Sequence, residues 1–238
     1  MERELTKIYN RTEFRDYVKE SKKLFETLTQ KIGAKVVDVL NASEIYKTLT
    51  IEMDNNYYWS KAWTKEEQKK VVEQLSKAHQ LREQYSWDSP LIQRLRSGGL
   101  VKELNKNLNF SINSNKTIIN KKLFVYSTQE KDITGLMHAL NIYNISAPNG
   151  TALLLELHKK AKNSAKDKYN DKSNDKSEYF LRVFYQNSND SYSGVPQSVE
   201  WRNCQNLIDC PVDQYLKSTE QLLYENFGKE CNQTEGKN

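Results

Sequence analysis

At 238 residues, with 37% hydrophobic and 28% charged, the chain is long enough for one large domain or two small ones with a buried core. Its formal charge of +5 comes from 36 basic residues scattered among 31 acidic ones, which argues against the concentrated basic stripe of a nucleic-acid binder. No apolar run reaches the roughly 18 residues that a membrane span needs, and the N-terminal MERELTK lacks the apolar centre of a signal peptide.

Taken in chain order, Phe14, Val18, Leu24, Phe25, Leu28 and Ile32 recur on one face and predict a first long helix, stopped by Gly33. A second helix is expected from Asn41, with Glu44 three residues on. The clearest start is TKEE, where Thr64 and Glu67 predict a capping box ahead of Val71, Val72, Leu75, Ala78 and Leu81. In RLRSGGLVKEL the Gly98-Gly99 pair predicts a turn into a further helix. Leu123-Phe124-Val125-Tyr126 then reads as a short buried strand, and Ile133, Leu136, Met137 and Leu140 recur at helical spacing. The intervening STQEKD is a strand-to-helix turn, the place where ligands and catalytic groups collect in open α/β sheets. Its bland alternative is a solvated turn with Asp132 as the helix cap.

TALLLELHKK and EYFLRVFYQ predict a hairpin, joined by a charged, low-complexity linker running from Lys159 to Ser177 that has almost nothing apolar to bury. The last helix is expected after Cys210, with Pro211 in its first turn and Val212, Tyr215, Leu216, Leu222, Leu223 and Phe227 on the buried face. This pattern predicts a single domain over 1–238, with a mostly helical lobe at 1–120 feeding an α/β lobe at 121–238.

Cys204 and Cys210 could close a small loop, leaving Cys231 odd, and no fourth ligand cluster accompanies them to hold zinc. Asn-x-Ser/Thr sequons begin at Asn10, Asn41, Asn109, Asn115, Asn144, Asn149, Asn189 and Asn232. An Asn-rich chain produces some by chance, but they favour secretion. Secretion is accordingly the expectation, on the reading that a leader was removed and Met1 added.

The string YSTQEKDITGLMHALN resembles the second signature of the histidine acid phosphatases of the prostatic and lysosomal type, Tyr-Ser-Ala-His-Asp-x-Thr followed by an apolar helix. YKTLTIE, AWTKEE, RLRSGGL, LLLEL, FLRVFYQN, the two cysteines before Pro211 and the terminal GKEC follow in family order. The resemblance implies an α/β, histidine-phosphatase-like (phosphoglycerate mutase-like) fold with a large helical lobe, lacking its N-terminal catalytic strand. It also implies that Cys204 pairs with Cys210, while the family partner of Cys231 lies upstream of the region present.

Those enzymes form a phosphohistidine on an Arg-His-Gly-x-Arg-x-Pro motif. The three histidines here, His79, His138 and His158, neither follow an arginine nor precede a glycine, and they read as structural residues. In the second signature, Gln129 takes the histidine position and Glu130 the general-acid position. Gln129 cannot carry positive charge to a transferring phosphoryl group. Glu130 could protonate a leaving group, but it has no covalent step to serve.

A nucleophile-free scaffold of this kind is similar to the truncated acid-phosphatase-like salivary proteins of fleas. That resemblance implies a secreted, non-enzymatic scavenger of biogenic amines such as serotonin and catecholamines, with leukotrienes as the alternative and no metal or cofactor. The enzyme alternative is a phosphomonoesterase fragment needing a missing N-terminal half. An aromatic amine requires a carboxylate, aromatic faces and a few hydrogen-bonding groups. Tyr85, Trp87 and Asp88 in QYSWDSP are the favoured set. Tyr58 and Trp59, near Tyr57 and Trp63, offer further faces, and Glu130 offers a second carboxylate, ahead of Asp132. The bland reading makes the tryptophans packing residues and the acids helix caps. No nucleic-acid or membrane partner is expected, and the chain is taken as a monomer or homodimer.

Overall fold

The computed structural model describes residues 2–57, 63–113, 121–142, 147, 150–160, 178–186 and 195–233, and all structural statements concern these. The chain packs as two units, residues 1–89 and 90–238.

The first unit is helical: α1 (Glu2–Tyr9), α2 (Thr12–Glu20), α3 (Lys22–Ile32), α4 (Val39–Asp54) and α5 (Lys65–Tyr85). The single long helix expected over 14–32 is in fact two, broken at Ser21, whose φ/ψ of −90°/5° leave the helical region. The break lets the chain turn, so Phe14 and Tyr17 of α2 and Phe25 and Leu28 of α3 all reach the core, while Ile32 stays 40% exposed. Gly33 ends α3 as predicted, with φ of 74° that a Cβ would strain. α4 starts earlier than expected, at Val39, because the Asp38 carboxylate accepts the Asn41 N–H at 2.8 Å. The capping box is formed as predicted: Thr64 Oγ1 accepts from Glu67 N at 3.2 Å, and Glu67 Oε2 accepts from Thr64 N at 2.7 Å.

α4 lies along α5. Their seam holds the buried Ser43, which contacts His79 Nδ1 at 3.2 Å, and His79 stacks on Tyr46 at 4.9 Å. Arg82 pairs with Glu44 in the same seam and holds that carboxyl below its usual range. His79 thus has the structural role expected of it.

The second unit contains α6 (Pro90–Asn113), α7 (Glu130–Ala139), β1 (Ala152–Lys159), β2 (Tyr179–Gln186), β3 (Gln197–Val199), β4 (Cys210–Pro211), α8 (Val212–Thr219), a 3-10 turn (Glu220–Leu222) and α9 (Phe227–Gln233). The predicted hairpin is present as an antiparallel pair from Ala152↔Gln186 to Lys159↔Tyr179, and β3 and β4 both add to β2. Lys159 therefore belongs to a strand, and residues 161–177 of the expected linker lie outside the described residues. Period-2 alternation turns Leu153, Leu155, Leu157, Leu181, Val183 and Tyr185 onto a core shared with Leu136, Met137, Trp201 and Tyr215.

Three expectations fail in this unit. Gly98 and Gly99 do not make a turn; they lie inside the continuous α6, where close packing of residues 222–224 leaves no room for a Cβ at Gly98. Leu123–Tyr126 is not a buried strand but an irregular segment outside the sheet, with Leu123 78% and Val125 80% exposed. The last helix is three pieces, because the 3-10 turn and residues 223–226 interrupt it; Phe227 is consequently 46% exposed, while Val212, Tyr215 and Leu222 stay buried.

Candidate functional site

At the start of α7 the turn is held by its own side chains. The Asp132 carboxylate accepts from Thr128 Oγ1 at 2.5 Å and from Gln129 N at 3.3 Å, so Gln129 occupies the cap position and Asp132 the third helical position. The bland reading had given the cap position to Asp132; its carboxylate does the capping from one turn further in. Gln129 is exposed and Glu130 half-buried. Upstream, Tyr126 Oη accepts from Asn107 Nδ2 of α6 at 2.5 Å, which tethers the segment leading into the turn.

In the first unit, Tyr85 and Asp88 do come together, but around a cation supplied by the protein. The Arg11 guanidinium lies 5.2 Å from the Tyr85 ring centroid and forms an ion pair with Asp88. The hydrogen bond to Asp88 holds the guanidinium more firmly protonated than usual. Tyr85 Oη donates to Glu13 Oε1 at 3.3 Å, and desolvation, followed by the Glu13 charge, raises the phenol above its ordinary value. Trp87 departs from the expected set, since it is only 5% exposed and packs in the core. Trp63 lies under Lys31 Nζ at 4.1 Å, Tyr57 is 69% exposed, and Tyr58 and Trp59 fall outside the described residues.

Sequence reasoning missed two clefts. The first, about 580 Å³, opens in the first unit where α2 and α3 meet the segment at 35–37. The buried Phe25 and Val36 line it together with Val18 and Val37, and its charged lining is Lys19, Lys22, Lys35 and Glu26. The Val36 N–H donates to Thr29 Oγ1 at 3.0 Å, which pins that segment against α3. This volume and lining suit a small ligand with an apolar body and an anionic end. The sequence signal was Lys19 and Lys22 beside the buried-face residues, but it becomes legible only once the break at Ser21 is known. The second cleft, about 610 Å³, runs along α8 of the second unit and is lined by polar groups including Asn203, Gln205, Gln214 and Lys217. Tyr85, Trp87, Asp88 and Glu130 line neither cleft.

The predicted disulfide Cys204–Cys210 is formed, with Cα atoms 5.4 Å apart, and does not involve Cys231. It closes the loop between the Ile142–Trp201 bridge and β4. Among the described residues no cluster of three or more His, Cys, Asp or Glu could hold a metal ion, and no helix is long and apolar enough to cross a membrane.

Residues 2–186 match the Histidine phosphatase superfamily (branch 2). The chain belongs to that family. Prostatic acid phosphatase of Rattus norvegicus is 22% identical over 221 residues, covering 92% of this chain and 52% of that protein. The Mus musculus protein is 23% identical, covering 88% and 49%. Lysosomal acid phosphatase of Homo sapiens is 24% identical over 144 residues, covering 60% and 29%. This histidine phosphatase chain therefore spans about half the length of the prostatic relatives it matches. The sheet and helices described above are its mixed α/β, mostly helical version of the family fold.

Proposed function

We propose that this histidine phosphatase chain binds small molecules without turning them over, and that it sequesters aromatic biogenic amines such as serotonin and catecholamines. Gln129 is the observation that carries the absence of turnover. A neutral amide stands at the exposed start of α7, where the resemblance puts a catalytic histidine, and it cannot stabilise phosphoryl-group charge. The relatives' names, prostatic and lysosomal acid phosphatase, favour the competing reading of a phosphomonoesterase whose remaining half supplies the nucleophile.

The amine class follows from the resemblance to flea salivary proteins, and one arrangement supports it. Tyr85 and Asp88 already hold a cation, the Arg11 guanidinium, so an incoming ammonium would compete for the same ring and carboxylate. An exposed cation–π contact contributes about 0.5–1 kcal/mol and an exposed ion pair about 0.2–1 kcal/mol. Micromolar binding corresponds to about 8 kcal/mol, so most of the affinity must come from burial of the ligand's ring. Secretion into saliva, implied by the same resemblance, suits such stoichiometric capture, in which abundance and affinity matter and turnover does not.

Calorimetric titration with serotonin, noradrenaline and histamine tests the reading. One amine per chain is expected, weakened in Asp88→Asn and strengthened in Arg11→Ala, which removes the internal competitor. If neither variant changes affinity, the site lies elsewhere, and Glu130→Gln tests the other carboxylate. Absence of heat with every amine refutes the amine class, and hydrolysis of a chromogenic phosphate monoester at acid pH refutes the binding-only reading.

The α2–α3 cleft favours a second reading, capture of a carboxylated lipid such as a leukotriene. Its apolar lining would take the hydrocarbon, and Lys19, Lys22 or Lys35 the carboxylate. Titration with leukotriene C4 in the presence and absence of serotonin shows whether the two ligands share a site; a lipid that binds independently of the amine and weakens in Lys22→Glu supports this reading.

A further inference from the structure

The second cleft, about 610 Å³ along α8, has no part in either reading above, and every side chain that lines it is polar. One wall is the loop at 203–205 and the other is α8. The Cys204–Cys210 disulfide ties that loop to the residue before Pro211, at the head of the helix. Hydrogen bonds in the walls decide which groups remain for a ligand. The Gln205 N–H donates to Gln214 Oε1 at 3.0 Å, which orients that amide so that Gln214 Nε2 donates to Gln205 Oε1 at 3.2 Å. Asn203 Oδ1 accepts from Asn141 Nδ2 at 2.7 Å. Both loop amides therefore have an engaged oxygen and keep an NH2 group to donate. On α8, Asp213 and Lys217 stand one turn apart, about 6 Å along the axis. Their spacing suits an ion pair, yet among the described residues neither forms one. Ser218 Oγ donates to the Tyr215 carbonyl at 2.8 Å, which leaves its oxygen as an acceptor.

We propose that this cleft binds an acidic sugar, a pyranose carrying one carboxylate. Lys217 and the NH2 groups of Asn203 and Gln205 donate to the carboxylate and to ring oxygens, while Asp213 and Ser218 accept from hydroxyls. The lining selects this class by elimination. With no aliphatic or aromatic side chain it offers nothing to a hydrocarbon or an aromatic ring, which sets it apart from the ligands proposed above. A bare oxyanion only accepts, so it would meet Lys217 and the amides but would be repelled by Asp213. A zwitterion would satisfy Asp213 and Lys217 but leave the loop amides unused. Sugar hydroxyls both donate and accept, and so match walls that mix the two. Held by hydrogen bonds and one ion pair, without apolar burial, a single sugar should bind with a dissociation constant on the order of millimolar.

Saturation-transfer NMR titrations of the full chain test this with glucuronic acid, glucose, acetate and 4-aminobutyrate. Glucuronate is expected to bind more tightly than the other three. Lys217→Gln should weaken glucuronate by about two- to fivefold and leave glucose unchanged. Asp213→Ala should narrow the margin of glucuronate over acetate, because the sugar loses a hydroxyl acceptor while acetate loses only a repelling charge. Both positions are exposed, so the circular dichroism spectrum should not change. A hyaluronan tetrasaccharide ending in glucuronate separates the two sources of this chemistry. If it binds more tightly than the monosaccharide and is weakened likewise by Lys217→Gln, the ligand is a glycan end; if it binds less tightly, the ligand is the free sugar. No saturation transfer to glucuronate, equal affinity for acetate, tighter binding of 4-aminobutyrate, or glucuronate binding indifferent to Lys217→Gln would overturn the proposal.

Discussion

Replacing Gly98 by alanine separates a helix-interior glycine from a turn glycine. A Cβ there would lie 2.2 Å from the Leu222 carbonyl oxygen and 2.9 Å from Tyr224 Cε1. The first contact is with backbone, and it cannot be relieved by rotating a side chain. The same approach is braced on either side by Arg94 Nη1 donating to Gln221 O at 3.0 Å and Lys102 Nζ donating to Tyr224 O at 3.3 Å. Alanine gains about 1 kcal/mol over glycine from helix propensity, while overpacking costs about 1–3 kcal/mol, at the upper end against backbone. A net loss of about 1–2 kcal/mol is expected for Gly98→Ala. At Gly99 the nearest atom is the Tyr224 hydroxyl at 3.0 Å, the movable tip of a side chain, so Gly99→Ala should be neutral or stabilising by about 0.5 kcal/mol. For a chain of this size 1 kcal/mol corresponds to about 2–4 °C in Tm, which thermal unfolding followed by circular dichroism resolves. Equal shifts in the two variants, or a gain in Gly98→Ala, would refute the close-packing account of the glycine pair.

Three further outcomes follow from the structure. The Arg182 guanidinium donates to Asp209 at 2.6 Å and 3.3 Å and holds that carboxyl below its usual range, so its stabilisation is present above the unfolded-state value and fades as pH falls through the lowered one. Asp209→Asn should therefore lose stability relative to wild type at neutral pH and converge with it in strong acid, as read by urea midpoints across the acid range. Cys204→Ala with Cys210→Ala opens a loop of sequence separation 6, and the chain-entropy relation gives a loss of about 2 kcal/mol, measured by urea denaturation; no loss would mean the loop is ordered without its cross-link. Gln129→His restores only one histidine, without an arginine clamp, and should leave chromogenic phosphate hydrolysis at background; measurable turnover would revive the enzyme reading.

The candidate site was only partly visible in the sequence. Tyr85 and Asp88 were singled out for their chemistry and do hold a cation, but Arg11, which supplies it, lies 77 residues from Asp88 and carries no local signal. Trp87 sits between them in sequence, yet packs in the core. The lysine-lined cleft was hidden because the pattern from Phe14 to Ile32 reads equally well as one helix. Only the packing of Phe14, Tyr17, Phe25 and Leu28 into one core requires the bend at Ser21 that opens it.

What the sequence determined alone was local or strictly periodic. The Thr64–Glu67 box, the Gly33 stop and the β1–β2 pairing depend on neighbours a few residues apart or on alternation along a strand, and each formed as read. The cysteine pair lies six residues apart and closed as the resemblance implied. Tertiary structure decided the features that need a distant partner. Gly98 and Gly99 look like a turn until the chain at 222–224 lies against α6, and Leu123–Tyr126 looks like a core strand until the sheet forms without it. The physical reason is the same in both cases: composition sets what a segment can bury or how closely it can be approached, but only the assembled neighbours decide whether anything is there.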